Sequence, residues 1–320
     1  MGLTVAVTGP TGDIGRALLR ELEADPAVER VLGMARRPFD PGSMGLSKTE
    51  YRQGDVLDPD AVAALVADAD VLVHLAFIIL GGPEETRSIN LEGSRNVFEA
   101  ARAVRRLVYT SSVAAYGFHA DNPQPLTEDV PTRGTDAHYY SAQKAELEET
   151  LRATLDGADT ETYVFRPCIV AGGDALALVE AFPKLLRKVP LAKPVLPDPG
   201  TPFQLVHTED VATGLAAAVR GDGPPGVYNL AGDGTITAGD LARAFGWLSV
   251  PFPKAGVALT AEAVDILPFM PATATWINAM RVPVVMDTTR ARTALHWEPM
   301  YDTRQVLEDT VLSAKDSGLL

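Results

Sequence analysis

Tyr140 and Lys144 stand four positions apart, so a helix carrying them presents a phenol and an ammonium on one face. An ammonium close to a phenol lowers the cost of ionising it from its ordinary pKa of about 10. A phenol tuned in this way serves as a proton donor or acceptor. The helix is expected to begin near Ala137. An apolar strand expected over Leu107 to Ser112 ends in Thr110-Ser111-Ser112, and the Ser112 hydroxyl there can hydrogen-bond the oxygen of a reacting carbonyl. A lone Tyr-x-x-x-Lys is also what an ordinary amphipathic helix carries, so a second motif has to give it meaning.

That second motif opens the chain. Leu3 to Val7 is a short apolar run suited to a buried parallel strand. Gly9, Gly12 and Gly15 follow at three-residue spacing, with Thr11, Asp13 and Ile14 between them, and Arg16 to Leu22 reads as a helix. In such a turn the first glycine allows a tight path and the second lets the backbone approach phosphates. The third lets the helix pack close to its strand. A pyrophosphate is then held at the helix N-terminus, where free N–H groups and the positive end of the dipole point. A dinucleotide site next to a tuned phenol indicates nicotinamide redox chemistry.

The second strand reads Val31 to Ala35 and runs into Arg36-Arg37-Pro38. A carboxylate at the end of this strand would hydrogen-bond the adenosine 2′-hydroxyl and repel a 2′-phosphate, whereas an arginine accepts the phosphate. Ala35 occupies the expected acidic position, so NADP is expected rather than NAD. Asp55, after a third strand around Tyr51 to Gln53, is expected beside the adenine, with Val56 next to it. Val71 to Leu75 is a fourth strand, and the small residues of His74-Leu75-Ala76 let the backbone skirt the cofactor. Ser88 to Val104 reads as a helix carrying Asn90.

Strands alternating with helices imply parallel βαβ units, hence an α/β doubly wound parallel sheet. The nucleotide domain is expected over 1–170, with returns at 203–230. A smaller substrate lobe takes 171–202 and 235–320. Ile78, Ile79 and Leu80, before Gly81-Gly82-Pro83, and Pro268, Met270, Pro271 and Trp276 are candidates for pocket walls. His119 is expected as a solvated loop residue and His207 as a structural one.

Taken together, these segments resemble the extended short-chain dehydrogenase/reductase family, which includes nucleotide-sugar epimerases and dihydroflavonol-type reductases. Val5 to Gly15 is similar to its T-G-x-x-G-x-x-G opening, and Thr110 to Gly117 to its active-site strand. Tyr140 and Lys144 match its catalytic pair, and His207 to Ala212 and Tyr228 to Leu230 match later framework segments. The resemblance implies a Rossmann fold and a catalytic set of Ser112, Tyr140 and Lys144. It implies cofactor contacts from the glycine turn, Asp55, Val56, Leu75, Ala76, Asn90 and Thr110, and from Pro167, Cys168 and Ile169 after Arg166. Members acting on nucleotide sugars often carry an Asn where Ile169 stands and an Arg where Phe203 stands. Both exchanges replace a diphosphate partner by an apolar surface, which favours a less polar carbonyl substrate.

Composition agrees. The chain has 320 residues and a formal net charge of −14, which argues against nucleic acid and anionic membranes as partners. Its one cysteine, Cys168, allows no internal disulfide and fits a reducing cytoplasm as buried filler. The first residues already read as a strand, so no signal peptide is expected. The apolar run Val71 to Leu80 is too short to span a bilayer. No metal is expected. Three functions compete. The first is an NADP-dependent reductase or dehydrogenase of a small organic carbonyl or alcohol, with Asn90 supporting a water-linked proton path. The second is a nucleotide-sugar epimerase or dehydratase using bound cofactor. The third is a non-catalytic dinucleotide-binding protein, which would not need the Ser-Tyr-Lys set. The Ser88 helix and the Tyr140 helix are also candidates for a homodimer face.

Overall fold

The computed structural model describes residues 2–79, 83–136, 138–173, 175, 195–251 and 282–319. The expectations for Leu80, Gly81, Gly82, Ala137, Pro268, Met270, Pro271 and Trp276 lie outside the described residues. The chain begins with β1 (Leu3–Thr8), α1 (Asp13–Ala24), β2 (Val28–Ala35), β3 (Thr49–Gln53), α2 (Pro59–Val66) and β4 (Val71–His74). Beyond a short helix, α3 (Pro83–Arg87), one wide π-helical turn (Ser88–Glu92) carries Asn90 and leads into α4 (Gly93–Ala100). The helix expected over 88–104 thus starts earlier and contains an irregular turn. Then come β5 (Arg106–Thr110), a 3-10 turn (Val113–Tyr116), α5 (Tyr139–Thr154), β6 (Glu161–Pro167), β7 (Ile169–Ala171), β8 (Val195–Asp198) and β9 (Leu205–His207). The last elements are α6 (Thr208–Arg220), β10 (Gly226–Leu230), α7 (Ala238–Ala244), β11 (Leu248–Pro251), α8 (Thr289–Ala294) and α9 (Thr303–Asp316).

Seven strands form one parallel sheet in the order β10-β6-β5-β4-β1-β2-β3. The order reverses between β1 and β4, and sheets of this kind bind ligands at such a reversal, beyond the carboxyl ends of the strands. Strand residues alternate between two cores, as period-two geometry demands. Val5, Val7, Val71, Val73 and Val108 face α1 and α6, while Ala6, Leu72, Leu107 and Tyr109 face α2, α4 and α5. Both faces are covered, so the strands read as continuous apolar runs instead of alternating ones. Two small parallel pairs, β7 with β9 and β8 with β11, stand apart from the main sheet.

Val284, Met286, Ala291, Leu295 and Trp297 lie in the span expected for the smaller lobe, yet they join the core that holds β1. The Trp297 indole donates to the Asp210 carbonyl at 2.8 Å, and the Asp210 carboxylate accepts from Met300 N–H at 2.7 Å. This stretch is therefore built into the main core. Among the described residues, no helix is long and apolar enough to cross a membrane.

Candidate active site

The glycine turn lies at the reversal of strand order. Gly9 has φ +76°, a left-handed conformation that favours glycine, and a Cβ there would lie 2.8 Å from Ala76 N. Leu75 and Ala76 are thereby brought against the turn. A Cβ on Gly15 would fall 2.4 Å from Gly9 O, which is why α1 can start so close to β1. Gly12 differs: it is exposed, and a Cβ on it would meet only Gly9 O, at 3.6 Å. It is the N-cap of α1, and no side chain caps the helix. The first turn of α1 therefore offers backbone donors to an anion. These features fit a dinucleotide pyrophosphate.

At the end of β2, the Tyr51 hydroxyl donates to Ala35 O at 2.7 Å and also to Arg37 O, and Gln53 Nε2 donates to Arg36 O at 2.8 Å. The backbone is pinned while both arginine side chains stay exposed. Neither makes an ion pair among the described residues, so both cations are available to a phosphate. Asp55 turns its carboxylate to Leu57 N–H at 3.1 Å. Val56 packs inward on Gly93, whose added Cβ would lie 2.5 Å from Val56 Cγ2, and Asn96 occupies its carbonyl at 3.0 Å. Its side chain is thus core.

The proton-transfer candidates converge. The His138 ring caps α5 by accepting Ser141 N–H at 3.2 Å, and the Ser141 hydroxyl donates to Ala114 O at 2.6 Å. These bonds fasten the start of α5 to the 3-10 turn that Ser112 opens as N-cap. Ser112, Tyr140 and Lys144 are all buried, at 6%, 8% and 3% exposure. Ser112 and Tyr140 are hydrogen-bonded. The Lys144 ammonium donates to Thr110 O at 3.0 Å and lies 6.0 Å from the centre of the Tyr140 ring.

The electrostatics differ from the spacing argument. Burial pushes the Tyr140 phenol up to about 12, although its hydrogen bond with Ser112 opposes this. Burial pushes Lys144 down to about 7, with the Glu148 carboxylate pulling the other way. Burial therefore outweighs the expected lowering of the phenol. The physical reason is that both groups are dehydrated and the ammonium is directed at Thr110. Tyr140 is held as a protonated acid.

Asn90 also departs from expectation. It is fully buried, its Oδ1 accepts Ile78 N–H at 2.8 Å, and its Nδ2 donates to Ile78 O at 3.0 Å and Gln143 Oε1 at 2.8 Å. These bonds occupy both amide hydrogens, so it brackets the loop after β4 and has none to donate to a water path. Thr110 Oγ1 is buried and has no hydrogen-bond partner among the described residues. Pro167 ends β6 opposite Leu230. Cys168 faces the core, and burial pushes its thiol well up, so it is filler. Ile169 opens β7 and packs with Phe203 against one apolar cluster.

His74 bonds Thr8 Oγ1 at 2.7 Å and Ser94 Oγ at 2.9 Å, and burial pushes it down to about 3. It ties β4 to β1 and α4. His119 is a half-buried loop residue whose Nε2 pairs with Gly134 O at 2.5 Å. His207 is structural: its Nδ1 caps Glu209 N–H at 3.2 Å, its Nε2 meets Asp309 at 3.1 Å, and it stacks on Tyr301.

Two further participants escaped the sequence reading. Phe77 puts its ring centre 3.9 Å from the Lys144 ammonium and 5.5 Å from the centre of the Tyr140 ring. Glu148, one more turn along α5 from Lys144, is paired with Arg166 at 2.6 Å. The repeated four-residue step Tyr140, Lys144, Glu148 was a visible signal for the second. An open cavity of about 570 Å3 between Pro125, Pro202, Pro283 and Met286 is not lined by Ser112, Tyr140 or Lys144, so it is set apart from this chemistry.

Comparison with known proteins places these features. A ceramide reductase from Caulobacter vibrioides is 29% identical over 310 residues, covering 92% of this chain and 86% of that protein. Among solved structures, gox2253 superposes with a TM-score of 0.79 at 24% identity, covering 99% of both chains. A UDP-glucuronic acid 4-epimerase from Bacillus cereus, solved in complex with NAD, superposes with a TM-score of 0.73 at 19% identity, covering 98% of this chain and 99% of that one. The model of the NAD dependent epimerase/dehydratase family matches residues 5–231. The chain therefore belongs to the NAD dependent epimerase/dehydratase family.

Proposed function

We propose that this protein is an NADP-preferring reductase of a small, largely apolar carbonyl compound. The observation that carries the reading is the convergence of Ser112, Tyr140 and Lys144 at the carboxyl end of the parallel sheet, the end at which the glycine turn also lies. When bound, the dinucleotide supplies the hydride. Tyr140, held protonated, donates its phenolic proton to the carbonyl oxygen. Ser112 hydrogen-bonds the same oxygen and orients it, and Lys144 supplies a buried positive charge beside the phenol as that proton leaves. Lys144 would also hold the cofactor ribose. Gly9, Thr11, Gly12, Asp13, Ile14 and Gly15 would hold the pyrophosphate, and Arg36 and Arg37 the 2′-phosphate.

The likeness to a ceramide reductase supports an apolar substrate. So do Ile169 and Phe203, which put an apolar surface where a diphosphate would need charged donors. The acidic composition and lone buried cysteine support action in the cytoplasm, and the Ser88 and Tyr140 helices are the candidate homodimer face. The experiment is NADPH oxidation followed by absorbance against a panel of ketones and aldehydes. Stoichiometric consumption with alcohol formation supports the reading. Conversion of a UDP sugar with no net NADPH use, and no consumption with any carbonyl, overturns it in favour of an epimerase.

A further inference from the structure

Phe77 touches both members of the proton-transfer pair. The Lys144 ammonium lies 3.9 Å from its ring centre, closer than Tyr109 at 5.3 Å or Tyr140 at 6.0 Å. The Phe77 ring is also nearly perpendicular to that of Tyr140, at 84° and 5.5 Å. An ammonium has three N–H donors, and among the described residues Lys144 has one hydrogen-bond acceptor, Thr110 O. A cation within about 6 Å of an aromatic face is attracted by the ring quadrupole, the more so when both are dehydrated.

Phe77 is not free to leave this position. On one side Ala76 is wedged against Gly9. On the other, both backbone groups of Ile78 are bonded to Asn90, and Ile79 O accepts from the Tyr139 hydroxyl at 2.6 Å. The short bracket of Asn90 and Tyr139 thus presents one ring to one ammonium.

We propose that Phe77 is a positioning residue for the Lys144–Tyr140 pair, its ring face keeping the Lys144 ammonium charged and seated against Thr110 while its contact with Tyr140 fixes the phenol. The proposal rests on reading that pair as the site of proton transfer.

The groups around Lys144 set what else acts on its charge. Glu148 on α5 favours the ammonium. His74 on β4 is held neutral by burial and by Lys144 itself, and the Tyr109 phenol on β5 is pushed well up by burial. Among the described residues, Glu148, Thr110 O and the Phe77 ring therefore favour the ammonium over the amine, and the Phe77 ring is closer to it than those of Tyr109 and Tyr140. Lys144 lies near its midpoint at neutral pH, so losing a contact made only by the charged form changes its protonation visibly.

The test follows the 15N resonance of the Lys144 side chain against pH in the ligand-free protein. Four proteins are compared: wild type, Phe77→Leu, Phe77→Tyr, and a form with 3,4,5-trifluorophenylalanine at position 77, which keeps the shape but cancels the quadrupole. In the leucine and trifluoro forms the Lys144 midpoint should fall by about one pH unit, a change on the order of tenfold in its ionisation constant. Phe77→Tyr should restore it. The alkaline limb of kcat/KM for NADPH-dependent reduction should move the same way. An unmoved midpoint in the trifluoro form, which has no reason to misfold, overturns the proposal. So does loss of thermal stability in Phe77→Leu with the midpoint unchanged. A shifted midpoint in a protein that reduces no carbonyl compound supports Phe77 and rejects the reductase reading, so the two failures are distinguishable.

Discussion

Replacing Gly12 and Gly15 in turn by alanine separates binding from folding. At Gly12 the backbone is extended, φ −79° and ψ 172°, which alanine adopts without strain. The added Cβ would make one ordinary contact, at 3.6 Å from Gly9 O. Glycine to alanine at a compatible position stabilises by about 0.4–1 kcal/mol through the unfolded chain. Alanine is a poorer N-cap than glycine by a similar amount, so Gly12→Ala should change stability by less than about 1 kcal/mol. Gly15→Ala puts its Cβ 2.4 Å from Gly9 O and 2.7 Å from Pro10 C. Both atoms are backbone, so α1 must move off the turn, costing at least ~1–3 kcal/mol. For ligand binding the order reverses. The Gly12 methyl would stand where a phosphate must meet the turn, and one lost charge-assisted hydrogen bond of about 1.5–3 kcal/mol weakens Kd roughly ten- to a hundredfold. Urea unfolding of the ligand-free proteins and calorimetric titration with NADPH measure the two quantities. Gly12→Ala binding NADPH within about twofold of wild type, or Gly15→Ala as stable as wild type, would refute the reasoning.

Further expected outcomes are as direct. Tyr140→Phe should keep NADPH binding and lose turnover by on the order of 10²–10⁴-fold, while Tyr139→Phe, whose hydroxyl donates to Ile79 O and whose i+4 neighbour is Gln143, should lose far less. Equal rates for the two would show that the acid is misassigned. Wild type should bind NADPH more tightly than NADH, and Ala35→Asp with Arg36→Ala should reverse that order, since a charge-assisted phosphate contact is worth ~1.5–3 kcal/mol. Equal affinities for the two cofactors in wild type would reject the arginine reading. His74 falls to about 3 in the folded chain against 6.5 as the ordinary value, so the unfolded chain takes up its proton first. Its contribution to stability is intact above pH 6.5 and drains as pH falls toward about 3, with a limiting slope of about 1.4 kcal/mol per pH unit. His74→Gln should flatten the wild-type fall in urea stability between those limits, and an unchanged slope would count against a buried neutral His74.

The glycine turn and its flanking elements were legible because their demands are local. The left-handed φ of Gly9 and the closeness of Gly15 to Gly9 O and Pro10 are set within the turn itself, although Gly9 also has to clear the distant Ala76. The β-branched runs gave β1, β4 and β5 nearly to the residue, because strands buried on both faces have little choice of side chain. What the sequence concealed depends on burial and on residues far apart in the chain. The i,i+4 spacing of Tyr140 and Lys144 places them on one face but says nothing of their dehydration, and dehydration reverses the expected effect on the phenol. Asn90 was singled out as a ligand contact, yet its amide is used by Ile78 and by Gln143, 53 residues away. Phe77 was not singled out, because an aromatic residue after a strand gives the same signal whether it meets a leucine or an ammonium.

The inner face of α5 explains how such a site holds its shape. Arg166 Nε and Nη2 donate to Glu148 at 2.9 and 2.6 Å, and Glu148 Oε1 also accepts from the Ser111 hydroxyl at 2.6 Å. The Arg166 guanidinium lies 4.5 Å over the Tyr116 ring, whose hydroxyl donates to Asn229 at 2.7 Å. The network joins α5 to the ends of β5, β6 and β10. A buried ion pair is a weak contributor to stability, since apolar residues of equal volume often do as well or better. Its value here is in distance. Ser111 lies between Thr110, whose carbonyl receives Lys144, and Ser112, which bonds Tyr140. Fixing the Ser111 side chain to Glu148 therefore fixes both neighbours relative to α5. Tyr140, Lys144 and Glu148 recur every four residues, spanning about 12 Å of one helical stripe. An apolar residue at Glu148 could pack as well, but it could neither hold the Ser111 hydroxyl nor favour the charge on Lys144. The same carboxylate sets the register of the strand end and the electrostatics of the lysine.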